Sequence, residues 1–420
     1  MPSRRAHSFL DPLYGELTFR PEIVHLMDTP AIQRLRHVRL SNIDSIDLPS
    51  IANISRFEHV LGVAHLAEFS TLRTHLDDHD GLVLVASALL HDWSITSFGH
   101  LVEEALQYTG EAFDHEQRLY QLITGSAGDL LGADLQIFQG QQTGIVRWAR
   151  TIMGDQAHLL LTDVTQHIRG KGKSGPLVAG DIDVDNIDNI FRMLFHMGGL
   201  QDRGIAERLA RGITSISTNG RLIFKDSVLP EVNSWLDARQ TVYSHLMLSP
   251  RDFVGKTMLL YAAVRAFETG TLSRDDWRLT DTEFVSKLSA STSQDVTQAI
   301  TRWQLGDLWD SSPLFWMSGS RPSYTSMLAF SRELSHDLGR TCFAYAIKDK
   351  RTRRLTVEFE SGDRVELGTE PDRWLLGVTS AVKRPFARRE LTKILASAAP
   401  RFKTEPMGTA DSSPGSASLF

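Results

Sequence analysis

The chain has 420 residues, 41% of them hydrophobic and 23% charged, with a formal net charge of −6. That length can bury one large core or two smaller ones; the acidic balance excludes a surface generally coated with positive charge for nucleic acid, and the single cysteine, Cys342, excludes an internal disulfide framework. No run of about 18 uncharged apolar residues occurs, and no apolar stretch of signal-peptide length follows residues 1–7, so the expectation is a soluble, cytoplasmic protein with no membrane partner.

In chain order, residues 58–74 set Val60, Leu61, Val63, Ala64, Ala67 and Phe69 on a broad apolar helical face. Residues 81–90 are apolar nearly all round, as a buried central helix would be. Residues 171–175, Lys-Gly-Lys-Ser-Gly, end like a phosphate-binding P-loop, but His167 stands where that motif needs its first glycine and no strand leads in, so the stretch reads as a loop. Helical periodicity continues over 116–123, 144–152, 187–197, 229–248 and 253–268, predicting a mainly α fold.

Near the C-terminus the period changes to two. Residues 342–347, 355–359 and 364–367 read as strands, with Ser361-Gly362-Asp363 as a turn, predicting a small β-meander in a C-terminal α+β lobe. A helix is expected over 389–396, and the Gly, Ser and Pro content of 404–420 predicts disorder. The expected organisation is a helical core over 1–250, a smaller lobe over 251–403 and a tail over 404–420.

The chemistry starts at His91-Asp92, which ends the apolar run 82–90. An imidazole and a carboxylate arriving together on a hydrophobic helix suit a divalent transition metal, provided other ligands converge and positions stay open for water and substrate. Alone, the pair also fits a partly exposed helix end. It stands, however, in an ordered series: Asp11-Pro12-Leu13-Tyr14-Gly15, Asp28-Thr29-Pro30-Ala31-Ile32-Gln33-Arg34-Leu35-Arg36, Ser55-Arg56-Phe57-Glu58-His59, His91-Asp92, then Ile182-Asp183-Val184-Asp185. Over roughly its first half the chain resembles the HD-domain nucleotide phosphohydrolases, in particular the deoxynucleoside triphosphate triphosphohydrolase branch.

That resemblance implies an HD-domain helical core and one divalent metal ion held by His59, His91, Asp92 and Asp185. Mixed nitrogen and oxygen ligation does not select among manganese, iron, zinc and magnesium. The ion would lower the pKa of water and polarise a phosphoryl oxygen. By the same resemblance His115 is the catalytic histidine, Glu103 the carboxylate that orients it, and His100 a further member of that hydrogen-bonding set; Arg56 would contact a substrate phosphate through two oxygens at once. A homo-oligomer is implied as well, with a nucleotide or other phosphorylated small molecule as substrate.

The departures bear on substrate. The family pattern commonly continues with Gly and His two and three positions after the Asp, where this chain has Ser94 and Ile95. Positions that commonly hold a phosphate-binding lysine, a sugar-stacking tyrosine and a sugar-binding aspartate are Asn186, Asn189 and Met193. A kept metal set beside a rewritten pocket predicts hydrolysis of an altered substrate, either a (d)NTP triphosphohydrolase of changed specificity or a nucleoside monophosphate phosphatase. Three other readings stay open: an inactive nucleotide sensor, an oxygenase with a second metal on His65 or His100, and nucleic-acid binding through the basic runs 350–354 and 383–389. Glu358, Glu360, Asp363 and Glu366, interspersed in that lobe, argue against the last.

Overall fold

The computed structural model describes residues 8–42, 46–126, 128, 130, 132–138 and 144–410. At its centre lie two helices that bury almost their whole circumference. Arg56–Phe69 begins at Ser55, whose hydroxyl accepts the Glu58 amide, and Asp78–Leu90 begins at Asp77, whose carboxylate accepts the Asp80 amide. These side-chain caps satisfy amide donors that the first helical turn leaves free. Every residue from Gly81 to Leu90 is buried, which accounts for the absence of a polar face in that stretch. The two helices pack on each other, and Val184–His196 and Ala157–Ile168 flank them.

One close approach fixes the site. At Gly62 an added Cβ would lie 2.0 Å from Asp188 Oδ1, so only a glycine lets the Val184–His196 helix come this near the His59 helix.

Helices expected over 116–123, 144–152, 187–197, 229–248 and 253–268 are found as His115–Thr124, Ile145–Met153, Val184–His196, Leu229–Leu248 and Pro250–Glu268. The last of these packs against Leu101–Tyr108 and Gln294–Gln304, joining the two halves of the chain. The helix expected over 389–396 extends over Arg388–Phe402. Residues 171–175 form no P-loop: Lys173 pairs with Asp80 at 2.5 Å, and Gly175–Leu177 closes as a short 3-10 turn.

The strands correct the expected meander. They are β1 (Ser8–Asp11), β2 (Gly15–Thr18), β3 (Ile213–Ile216), β4 (Leu222–Phe224), β5 (Asp310–Ser311), β6 (Phe315–Ser318), β7 (Cys342–Lys348), β8 (Leu355–Phe359), β9 (Arg364–Leu367), β10 (Arg373–Ser380) and β11 (Pro406–Thr409). β8 and β9 form the expected hairpin, turning at Gly362 with φ +89°. β7 does not join it but pairs antiparallel with β10 in a sheet ordered β11-β6-β10-β5, while β8 pairs parallel with β4 in the sheet β3-β4-β8-β9. The hairpin is a local event written in its turn, whereas the partners of β7 and β8 are chosen across long stretches of chain.

The tail differs too. Residues 406–409 form β11 on the edge of β6, with all four residues exposed, so backbone pairing and not apolar patterning places them. The remainder of the expected disordered segment, 411–420, lies outside the described residues. Among the described residues no helix is long and apolar enough to cross a membrane.

Candidate metal centre

Asp183 caps the Val184–His196 helix, accepting the Asn186 amide at 2.7 Å, and so puts Asp185 in the first turn, facing the His59 helix. Burial and the neighbouring Asp185 charge push the Asp183 carboxyl up to about 7. Asp185 Oδ1 lies 3.0 Å from His59 Nε2 and 3.6 Å from His91 Nε2. Asp92 Oδ2 closes the group, 3.3 Å from His91 Nε2 and 3.8 Å from His59 Nε2. The four residues expected as metal ligands are thus brought to one spot from three helical segments.

The opposite ring nitrogens decide the tautomers. His59 Nδ1 is 2.7 Å from Asp188 Oδ2, and His91 Nδ1 is 2.8 Å from the Ala88 carbonyl, so each Nδ1 carries a proton and each Nε2 is the atom turned to the Asp185 and Asp92 carboxylates, where it takes a proton or a metal ion. Both Nε2 atoms are buried without an aligned hydrogen-bond partner. Leaving two buried acceptors unpaired costs about 1–3 kcal/mol each unless a cation takes them. The donor set therefore fits a divalent metal ion, with His59, His91 and Asp185 offering one atom each within 4.8 Å of one another.

Asp188 escapes sequence inspection because it looks like one more polar residue on an amphipathic helix. It accepts Tyr14 OH at 2.8 Å, Arg192 Nε at 3.0 Å and Arg192 Nη2 at 2.9 Å besides His59. Arg192 is fully buried and also donates Nη1 to Asp11 at 2.9 Å and Glu58 at 2.6 Å. The DPLYG stretch in the resemblance was a usable signal, since Asp11 and Tyr14 both belong to this network. Its spacing from Asp188 is visible only in the fold.

A second cluster adjoins the first. His100 Nδ1 and His115 Nδ1 each lie 3.0 Å from Glu103 Oε2, with the two rings 4.9 Å apart. Burial alone would raise the Glu103 carboxyl, but the hydrogen bonds from His100 and His115 draw it down to about 2. Burial alone would lower the His115 imidazole, but Glu103 outweighs it and holds His115 above its ordinary value. The expected orienting carboxylate and both histidines are therefore together. Glu104, next in sequence, faces the other way and binds Lys256 at 2.8 Å and Tyr345 at 3.1 Å, tying this helix to the C-terminal half.

The expected substrate-binding residues are placed differently from one another. Arg56 is buried, giving Nη1 to Asp92 at 2.6 Å and Nη2 to the Leu40 carbonyl at 2.6 Å, so it steadies a metal-ligand candidate. Asn186 donates to Asp183 at 2.9 Å, and Asn189 is half-buried on the same helix. Ile95 is 0% exposed and belongs to the hydrophobic core. Ser94 donates to the His115 carbonyl at 2.8 Å. His65 sits outside both clusters, on Glu207 at 2.9 Å.

An Ile95→His substitution would put an imidazole among apolar side chains. It is expected to lower the unfolding free energy by about 1–3 kcal/mol without a large gain on common deoxynucleoside triphosphates; thermal melts and product assays check both.

No family model matches the chain. An uncharacterized protein of Methanocaldococcus jannaschii is 23% identical over 285 residues, covering 67% of this chain and 54% of that protein. Deoxynucleoside triphosphate triphosphohydrolase SAMHD1 of Bos taurus is 33% identical over 100 residues, 22% of this chain and 17% of that protein. A metal-dependent phosphohydrolase of Cordyceps militaris is 31% identical over 107 residues, 25% of this chain and 28% of that one. The chain thus spans about half, or less, of the length of the curated relatives it matches. Among solved structures, a phosphohydrolase of Bacteroides thetaiotaomicron superposes with a TM-score of 0.64 at 15% identity, over 90% of this chain and 100% of that chain, which shows a shared fold. The likeness to proteins named as phosphohydrolases covers a quarter of the chain or less, and the match to the solved structure shows the fold alone.

Proposed function

We propose that this chain is a metal-dependent phosphohydrolase that cleaves a phosphate ester of a nucleotide or another phosphorylated small molecule. The observation that carries the proposal is the pair of buried, tautomer-fixed imidazole nitrogens facing Asp185 and Asp92, next to the His100–Glu103–His115 cluster. His59, His91, Asp92 and Asp185 would hold one divalent ion, which when bound supplies Lewis-acid activation of water and of a phosphoryl oxygen. His115, protonated through Glu103, gives its proton to the leaving-group oxygen. His100 shares the same carboxylate and stands at the more exposed side of the cluster, where it can donate a hydrogen bond to a substrate oxygen.

Retention of the Glu103–His115 pair favours turnover over a purely sensing role. The basic runs do little for nucleic acid: Arg351 pairs with Asp349, Arg353 with Asp181, Lys383 with Asp307 and Arg384 with Glu390. The deciding experiment is product analysis from a panel of nucleoside mono-, di- and triphosphates with manganese, iron, zinc and magnesium supplied in turn. Orthophosphate from a monophosphate marks a phosphatase, and nucleoside plus intact triphosphate marks a triphosphohydrolase. No product with any metal defeats the proposal.

His115→Ala should spare metal binding while slowing turnover about 10²–10⁴-fold, as loss of a general acid does; metal content and single-turnover rates check it. Because His115 is held above 6.5, its acid form persists past that pH and activity falls as pH rises through the raised value. Glu103→Gln should move that alkaline limb to lower pH. For stability the signs are opposite: the Glu103 contribution is present above about 4.5 and lost as pH falls towards about 2, whereas that of His115 is present below 6.5 and lost at higher pH. The pH–rate profile and urea unfolding across pH read the two separately.

A further inference from the structure

Residues 93–100 connect Asp92 to His100, and residues 278–281 of the C-terminal half anchor them. Buried Arg34 donates to the carbonyls of Ile95 at 3.0 Å, Leu279 at 2.9 Å and Arg278 at 2.5 Å. Ser97 Oγ donates to the Leu279 carbonyl at 2.6 Å. Asp281 is the hub: Oδ1 accepts the Phe98 amide at 2.6 Å, and Oδ2 accepts the Arg39 amide at 3.0 Å and Arg39 Nε at 3.2 Å.

The amide that Asp281 holds belongs to a strained turn. Phe98 has φ +52°, a left-handed conformation that costs a side-chain-bearing residue about 1 kcal/mol or more, and Gly99 follows at φ +67°. The Phe98 ring is gripped by Phe284 and Trp303, with the Arg39 guanidinium 4.3 Å from its centroid. Gly99 abuts Arg56: a Cβ added there would lie 3.2 Å from Arg56 Nη2. Arg56 in turn holds Asp92 at 2.6 Å. A continuous physical chain therefore runs from Asp281 through the Phe98–Gly99 turn and Arg56 to Asp92.

We infer that Asp281 is a positioning residue for the metal centre: by holding the Phe98 amide it keeps the left-handed turn pressed against Arg56 and so sets where the Asp92 carboxylate stands. The C-terminal half is then part of the site's geometry without contributing a ligand. This rests on the metal reading above. Asp281 also opens the Asp281–Ser289 helix, where any carboxylate is favoured, so its effect must be separated from helix stability. Glu283 provides the control, since it completes the capping box on Thr280 in the same helix, accepting from the Thr280 amide and hydroxyl, whereas the Phe98 amide goes to Asp281.

The test is Mn²⁺ affinity by titration calorimetry, with hydrogen–deuterium exchange of the metal-free full chain. Asp281→Ala should weaken Mn²⁺ binding about tenfold, the lower end of the range for losing an outer support of a metal site, and speed amide exchange over 93–100. Asp281→Asn, which keeps an acceptor for the Phe98 amide but turns its NH₂ towards the Arg39 donors, should recover part of both. Glu283→Ala should lower thermal stability and leave Mn²⁺ affinity unchanged. Should the alanine variant not fold, Asp281→Glu keeps the charge while displacing the acceptor, and should also weaken Mn²⁺ binding. Wild-type affinity in Asp281→Ala or in Asp281→Glu overturns the inference, as does equal loss in Glu283→Ala. If the unsubstituted protein binds none of Mn²⁺, Fe²⁺, Zn²⁺ and Mg²⁺, the metal reading falls, and exchange around Arg56 and Asp92 decides the inference: faster in Asp281→Ala supports it, unchanged overturns it.

Discussion

Asp185→Ala is expected to abolish metal binding and turnover together while leaving the fold intact. The carboxylate is the point where the two unpartnered imidazole nitrogens meet, 3.0 Å from His59 and 3.6 Å from His91. Without it the remaining His59, His91 and Asp92 have no oxygen closing the side of the later helix, and a divalent ion loses a charged ligand. The helix itself does not depend on Asp185. Its start is capped by Asp183, and the Asp185 side chain is 33% exposed, so truncation leaves no cavity in the core. The measurement is metal content after loading and desalting, with circular dichroism on the same sample. Undiminished hydrolysis in this variant would sink the metal assignment.

Arg192→Met should instead unfold the protein more easily, by about 3–5 kcal/mol, the cost of removing one partner from a buried ion pair. The guanidinium is fully buried and compensates Asp188, Asp11 and Glu58 at 2.6–3.0 Å. Methionine fills most of the volume but leaves Asp188 and Asp11 buried without their cation. Urea unfolding monitored by tryptophan fluorescence reads the loss directly. The same variant should weaken metal binding, because Asp188 fixes the His59 tautomer and Arg192 fixes Asp188. A midpoint unchanged from the parent protein would show that the network contributes nothing net to stability.

These two variants separate what could be read before folding from what could not. The ligand candidates His59, His91, Asp92 and Asp185 were legible because their residue types are chemically narrow and recur in an ordered series. His100, Glu103 and His115 were legible by the same resemblance. Asp188, Arg192 and Asp281 were not, since Asp and Arg are common on helices and their roles come only from what lies opposite. Arg56 was named from its residue type as suited to phosphate; in the fold Nη1 is directed to Asp92 and Nη2 to the Leu40 carbonyl, while Nε has no partner.

Local periodicity was enough for most of the helical core, where burial on one face or all round repeats with the turn of the helix. It was also enough for the β8–β9 hairpin, whose turn is spelled by Ser361-Gly362-Asp363. The sequence alone therefore determined the mainly helical class and the buried central helices, because each depends on neighbours within a few residues; it named the metal-ligand candidates through their ordered series and left their convergence to the tertiary structure. Tertiary structure alone decided that β7 joins β10 and β8 joins β4, that 406–409 adds an edge strand, and that residues 278–281 brace the loop from Asp92 to His100. Those outcomes depend on contacts between segments tens to hundreds of residues apart, and a one-dimensional pattern carries no term for such pairings.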